Sequence, residues 1–96
     1  MLPNADSFND LSPEDKALLL KYIETNFKQI ESINRKHSAY FLKARFNRLT
    51  GPDKGHHITS RCFMEAMVKS GYKASPVRGA REPNWYFNIG TVHFTD

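Results

Sequence analysis

One cysteine, Cys62, stands alone among 96 residues. It has no partner for an internal disulfide, which points to a reducing cytosol. Long apolar runs are also missing. No stretch approaches the roughly 20 residues that span a bilayer, and the N-terminus lacks the basic and apolar regions of a secretory signal. The expectation is a soluble cytoplasmic protein with no membrane contact. Nothing in the chain reads as a Gly-rich phosphate loop, a nucleophile elbow or a Cys–His–Asn set. The six acids of the first third line up as surface charges rather than as a convergent pair. The reading is non-enzymatic, with no cofactor. Metal-ligand spacing is absent as well: His57-x4-Cys62 is no recognised zinc pattern, so no metal site is expected from His37, His56, His57, Cys62 and His93. His56 and His57 read as loop residues exposed to solvent, His37 as a turn residue, and Cys62 as a small apolar residue on a helix flank.

What the chain does have is enough apolar material to fold. Residues 1–96 read as a single domain, 40% apolar and 12% aromatic, which separates it from disordered chains. The net charge of +4 conceals a sharper distribution. Residues 1–34 carry three cations and six acids. Residues 35–61 carry Arg35, Lys36, Lys43, Arg45, Arg48, Lys54 and Arg61 against Asp53 alone, a net +6. Residues 62–96 carry a net +1. A polyanion is the partner such a stripe suits, because each neutralised phosphate releases counterions; a solvated basic helix is the plainer alternative.

Local signals divide the chain further. Residues 1–11 are polar and read as a loose N-terminal arm. Ser12-Pro13-Glu14-Asp15 is a helix start: a cap, a proline suited to the first helical position, and two acids at the positive end of the dipole. The spacing of Leu19, Leu20, Ile23, Phe27 and Ile30 predicts one helix from 13 to about 31. Leu18 and Tyr22 fall on a different face, either packed under the arm or forming a contact surface for another chain. Asn34-Arg35-Lys36-His37 reads as a basic turn, and Ser38 as the cap of a second helix ending near Leu49, with Leu42, Phe46 and Leu49 buried. Tyr40, Lys43, Asn47 and, to one side, Arg48 face outward, an aromatic among cations as expected of a surface touching a sugar–phosphate backbone. Thr50-Gly51-Pro52 ends that helix. His56-His57-Ile58 suits a one-bridge strand. Thr59 or Ser60 caps a third helix that stops at Gly71, with Phe63, Ala66, Met67 and Ser70 inward, Arg61, Glu65 and Val68 outward, and Met64 and Lys69 flanking. Residues 72–76 form a short strand that Pro76 confines to an edge or an end. Residues 77–83 form a loop carrying Arg78, Gly79 and Arg81. In the second strand, residues 84–90, Trp85, Phe87 and Ile89 turn to the core and Tyr86 and Asn88 away from it. Residues 91–96 are a tail.

The resulting fold class is α+β: three helices packed on a C-terminal β-hairpin. Through Ile58-Thr59-Ser60, Phe63, Ala66-Met67, Gly71-Tyr72, Arg78, Arg81, Trp85 and Ile89, residues 38–90 resemble the small winged-helix domain at the C-terminus of phage and plasmid primase–helicases. Ser38, Tyr40, Leu42, Lys43 and Phe46, with the Asn84-to-Ile89 ending, are also similar to small proteins carried by phages and integrative elements of Gram-positive bacteria. The resemblance implies a winged-helix fold, a mobile-element protein in a bacterial host, and no catalytic residue. One departure matters: a DNA-reading helix-turn-helix joins its helices by a 3–4-residue turn, whereas the gap from Leu49 to Thr59 is much longer. That spacing fits a winged module other than a standard major-groove reader.

Two functions from different classes follow. The first is nucleic-acid binding, to duplex or single-stranded DNA, in replication or transcription control. Arg61 would pair with guanine and Glu65 would accept from cytosine, while Lys43, Arg45, Arg48, Lys54, Lys73, Arg78 and Arg81 would hold phosphates. Glu65 and Lys69 are equally an ordinary i,i+4 pair. The second is a phage-encoded, anti-CRISPR-like module that inhibits a host defence or replication enzyme, docking through exposed Leu18, Tyr22, Met64 and Val68 on a host protein or nucleoprotein complex. A homodimer through Leu18 and Tyr22 is a further possibility.

Overall fold

The helices begin where the capping chemistry places them. The computed structural model describes residues 7–50 and 58–90, without the side chains of Leu49 and Thr50. In it the Ser12 hydroxyl oxygen accepts from the Asp15 N–H at 3.2 Å, with Pro13 at the first position of α1 (Pro13–Asn26). The Thr59 hydroxyl accepts from the Cys62 N–H at 3.1 Å and opens α3 (Ser60–Lys69). Between them lies α2 (Ala39–Thr50), in which Ala39, Leu42 and Phe46 repeat at helical spacing and are buried. α3 ends on Gly71, whose φ of +94° needs the freedom of a residue without Cβ. There the Gly71 N–H donates to Val68 O and the Tyr72 N–H to Met67 O, which satisfies two terminal carbonyls. Residues 1–6, 51–57 and 91–96 lie outside the described residues, and with them the expected Gly51-Pro52 stop, His56, His57, His93 and the tail.

The expected single helix over 13–31 is overturned. α1 stops at Asn26, whose side-chain amide donates to the Tyr22 carbonyl at 2.8 Å, and Phe27 is already extended. Residues Gln29–Asn34 then form a strand, β1. It joins the expected hairpin of β2 (Ala74–Pro76) and β3 (Trp85–Ile89) in an antiparallel sheet of order β1-β3-β2. β3 would otherwise present an unpaired edge, and β1 covers it. The Gln29↔Ile89 and Asn34↔Phe87 pairings span five steps on β1 but only two on β3, so the strand bulges between them. Pro76, lacking an N–H, sits on the edge strand β2.

The loose-arm expectation also fails for the residues described. Residues Phe8–Asp10 form a short 3-10 turn capped by Ser7, and Phe8 and Leu11 are buried in the core. The core lies between the three helices and one face of the sheet, with Leu19, Ile23, Leu42, Cys62, Phe63, Met67, Phe87 and Ile89 fully buried. Tyr22 meets Phe27 and Phe46 edge-on, at 6.0 and 5.0 Å, and Phe27 meets Phe63 at 6.4 Å, a geometry aromatic rings favour. The architecture is α+β, three helices with a small three-stranded antiparallel sheet, and is compatible with a winged-helix-like arrangement. No described helix is long and apolar enough to cross a membrane.

One polar side chain sits inside this sheet. Asn88, expected to face away from the core, is only 4% exposed. Its Oδ1 accepts from the Lys73 N–H, at 2.6 Å, on the β2 side, and its Nδ2 donates to Ile30 O at 2.9 Å on the β1 side. Replacing it by leucine leaves both backbone groups without that partner. Asn88→Leu is expected to lower unfolding free energy by about 1–3 kcal/mol, read in urea as a lower midpoint with an unchanged slope. An unchanged midpoint would remove the bridging role.

Candidate nucleic-acid interface

Two asparagines build the most distinctive groove. Asn84 Oδ1 accepts from the Tyr40 N–H at 3.1 Å and from the Trp85 N–H at 3.0 Å. The Val77 N–H closes on Asn84 O at 2.8 Å. The root of the hairpin loop is thereby fastened to the first turn of α2. One end of α3 is fastened similarly. Asn47 Nδ2 donates to Ile58 O at 3.1 Å, and Asn47 Oδ1 accepts from the Ile58 N–H at 3.0 Å. Ile58 forms the isolated bridge expected of it. The groove between these fixed walls has a volume of about 600 Å³. Ile58 and Met64 supply its apolar floor, and Tyr40, Lys43, Arg61 and Trp85 are among its walls.

Tyr40 is the residue most out of place by burial: a large aromatic ring, 61% exposed. The Lys43 ammonium sits 4.4 Å from its ring centroid, a cation–π contact between positions i and i+3. Tyr40 also borders a second, smaller cavity of about 290 Å³ that Arg81, Ser60 and Glu82 line. Glu65 and Glu82 border the larger groove too, so its charge is mixed.

Glu65 is not presented as a base-reading acceptor. Its Oε1 accepts from the Phe8 N–H at 2.8 Å and from the Ser7 hydroxyl at 2.9 Å, while its Oε2 pairs with Arg61 Nε at 3.4 Å. The bond from Phe8 is the main cause that holds its pKa below the ordinary carboxylate value. Burial opposes the shift, and Ser7 and Arg61 assist it. Phe8 lies against the same helix, with the Lys16 and Lys69 ammonium groups each 5.8 Å from its ring centroid. The face of α3 expected to approach the major groove is thus a seat for the N-terminal turn.

The remaining expected residues divide. Arg78 and Arg81 are exposed on the hairpin loop, and Lys73 is exposed just before β2. Arg45 and Arg48 do not share a flank with Lys43. At about 100° per residue, positions 43 and 45 lie about 200° apart on the helix, and Arg45 acts on Tyr22 of α1 instead. Lys54 lies outside the described residues. Met64, expected to be exposed, is 3% exposed, because the groove floor and core enclose it. Tyr22 is half-buried against Phe27 and Phe46, which settles it as packing between α1 and α2 rather than under the arm. Leu18 and Val68 stay exposed, at 37% and 48%. His37 stacks on Phe41 at 4.6 Å and Cys62 is buried. Among the described residues no group of three or more His, Cys, Asp or Glu side chains is placed to hold a metal ion. Trp85, expected in the core, is partly buried and also walls the groove. Its place at the start of β3, beside the loop, was the available signal.

No protein-family model, curated protein or solved structure significantly matches the chain.

The Glu65 contacts have a pH signature. Because its folded pKa is depressed, the stabilisation is complete above the ordinary carboxylate value of about 4.3 and is lost as pH falls through Glu65's own lower value. Glu65→Gln is expected to cost about 1 kcal/mol at neutral pH, since partial exposure screens the charge. It should also flatten that acid segment of the stability curve, and Glu65→Ala, which removes the acceptor altogether, should speed exchange of the Phe8 amide. Unchanged exchange at Phe8 would exclude Glu65 as the anchor of the turn.

Proposed function

We propose that this protein is a non-enzymatic nucleic-acid-binding module of winged-helix type, binding DNA chiefly through the phosphate backbone. The observation that carries the reading is the Tyr40–Lys43 pair, an exposed ring with a cation on it, at the junction of the groove with the Arg81 cavity. Aromatic faces and cations in one groove are the two elements that hold a nucleic-acid chain without reading its sequence. The engagement of Glu65 and the seating of Phe8 on α3 argue against base readout by that helix. A role in replication or transcription control of a bacterial mobile element rests on the resemblance of residues 38–90 alone.

The competing reading, an inhibitor docking on a host protein, loses two of its four contact residues. Met64 is buried and Tyr22 is packed between helices, leaving Leu18 and Val68. No arrangement of those two residues favours that reading over the first.

Affinity for DNA is expected to fall steeply with salt, as counterion release requires. Lys43→Ala should weaken binding and reduce the log–log salt slope by about 1. Arg45→Ala with Arg48→Ala, on the other flank of α2, should leave the slope unchanged. A salt titration of DNA binding measured by anisotropy checks both. Equal losses from the two variants would remove the groove from the interface, and absence of binding at low salt would overturn the function.

A further inference from the structure

We propose that the groove takes an unpaired nucleic-acid strand, with one base stacked at Tyr40 and Trp85 and the adjoining phosphates held by Lys43 and Arg81. This rests on the nucleic-acid reading above and narrows it from DNA in general to a single strand.

Four observations support the narrowing. First, Tyr40 is the most exposed of the large hydrophobic and aromatic side chains described, and its backbone is fixed by the Asn84 bond. A stacking platform needs an accessible ring on a rigid support. Second, the floor beneath is apolar, Ile58 and Met64, both buried, which suits the face of a base and not a phosphate. Third, two cations are near the ring: Lys43 lies on it at 4.4 Å, and Arg81 lines the cavity that Tyr40 shares with the hairpin loop. Glu65 borders the groove and Glu82 borders both the groove and the Arg81 cavity, so the phosphates are assigned to Lys43 and Arg81 themselves and the apolar surface to a base. Fourth, α3 carries the N-terminal turn on its outer face through Glu65. The helix that a duplex would receive in its major groove is partly covered.

The energetics of the two ligands differ in the same direction. Bases in a duplex are stacked and paired, so placing one against Tyr40 requires flipping it out. A single strand offers its base faces without that cost, and base–aromatic stacking is tolerant of sequence because every base has a π-face.

The chain carries its own reporter, since Trp85 is the sole tryptophan and walls the groove. The experiment uses the full chain at low salt with three probes: a short oligothymidylate, an abasic deoxyribose-phosphate oligomer of equal length, and a mixed-sequence duplex. Oligothymidylate is expected to bind most tightly and to change Trp85 emission. Tyr40→Ala should weaken that binding by about tenfold, while Tyr40→Phe and Tyr40→Trp retain it. Circular dichroism of each variant confirms that the exposed substitution leaves the fold intact. Equal binding of the abasic oligomer, tighter binding of the duplex, or an undiminished affinity in folded Tyr40→Ala would each overturn the single-strand inference and leave the nucleic-acid function standing. Failure of all three probes to bind would overturn both.

Discussion

The amide of Asn88 joins the two edges of the sheet through one side chain on the central strand. β3 receives β1 on one side and β2 on the other, and Asn88 is bonded to backbone on each side, at Ile30 and at Lys73. A polar group buried to this degree is tolerable only when its hydrogen bonds are made. The same requirement selects a register: sliding either neighbour by one residue would strand the amide and turn each side chain to the opposite face. The neighbouring Asn34 amide donates to Ile89 O and Gly90 O, and the Gly90 N–H donates to Lys28 O. The bulged strand β1 is therefore held by side-chain amides where its own ladder is irregular. With β3 fixed, Trp85 at its start and Asn84 before it are fixed too. The hairpin root and one wall of the groove follow.

Features set by nearby residues were legible in the sequence, and features set by distant ones were not. Ser12, Thr59 and Gly71 act within a few residues of themselves, so their types and positions sufficed to mark helix ends. β1 was hidden because Ile23, Phe27 and Ile30 keep helical spacing across a break that no glycine or proline marks. The demand for a strand there comes from the edge of β3, more than fifty residues on. Met64 failed in a related way. On a helix packed by two others and the returning N-terminal turn, the buried arc widens to include Cys62, Phe63, Met64, Ala66 and Met67. A period-based reading assigns a narrower stripe. Asn88 broke the alternation of its strand because a buried amide can do there what no apolar residue can.

Charge behaved the same way. The net +6 of residues 35–61 is a contiguous feature of the sequence, and the fold takes it apart. α2 sends Lys43 to one flank and Arg45 toward α1, Arg61 reaches the groove from α3, and Arg81 of the hairpin loop, outside that segment, lines the adjoining cavity. Any polyanion brought to this protein would meet the folded arrangement. The number of its contacts is set by which cations share a surface and not by how many share a segment.

The N-terminal turn limits what kind of recognition this surface supports. Seating Phe8 on α3 buries an aromatic ring and gives Glu65 two charge-assisted hydrogen bonds. Reading bases with that helix would require giving up both, before any gain from a base contact. Arg61 is tied to the same carboxylate, so its guanidinium is already partly committed. What stays accessible is the Tyr40 ring and the cations around it, a set able to position a backbone and stack a base. Such a set does not distinguish one base from another. On the proposed reading, discrimination by this surface would be a matter of whether base faces are exposed, and strandedness rather than sequence would be the property it selects.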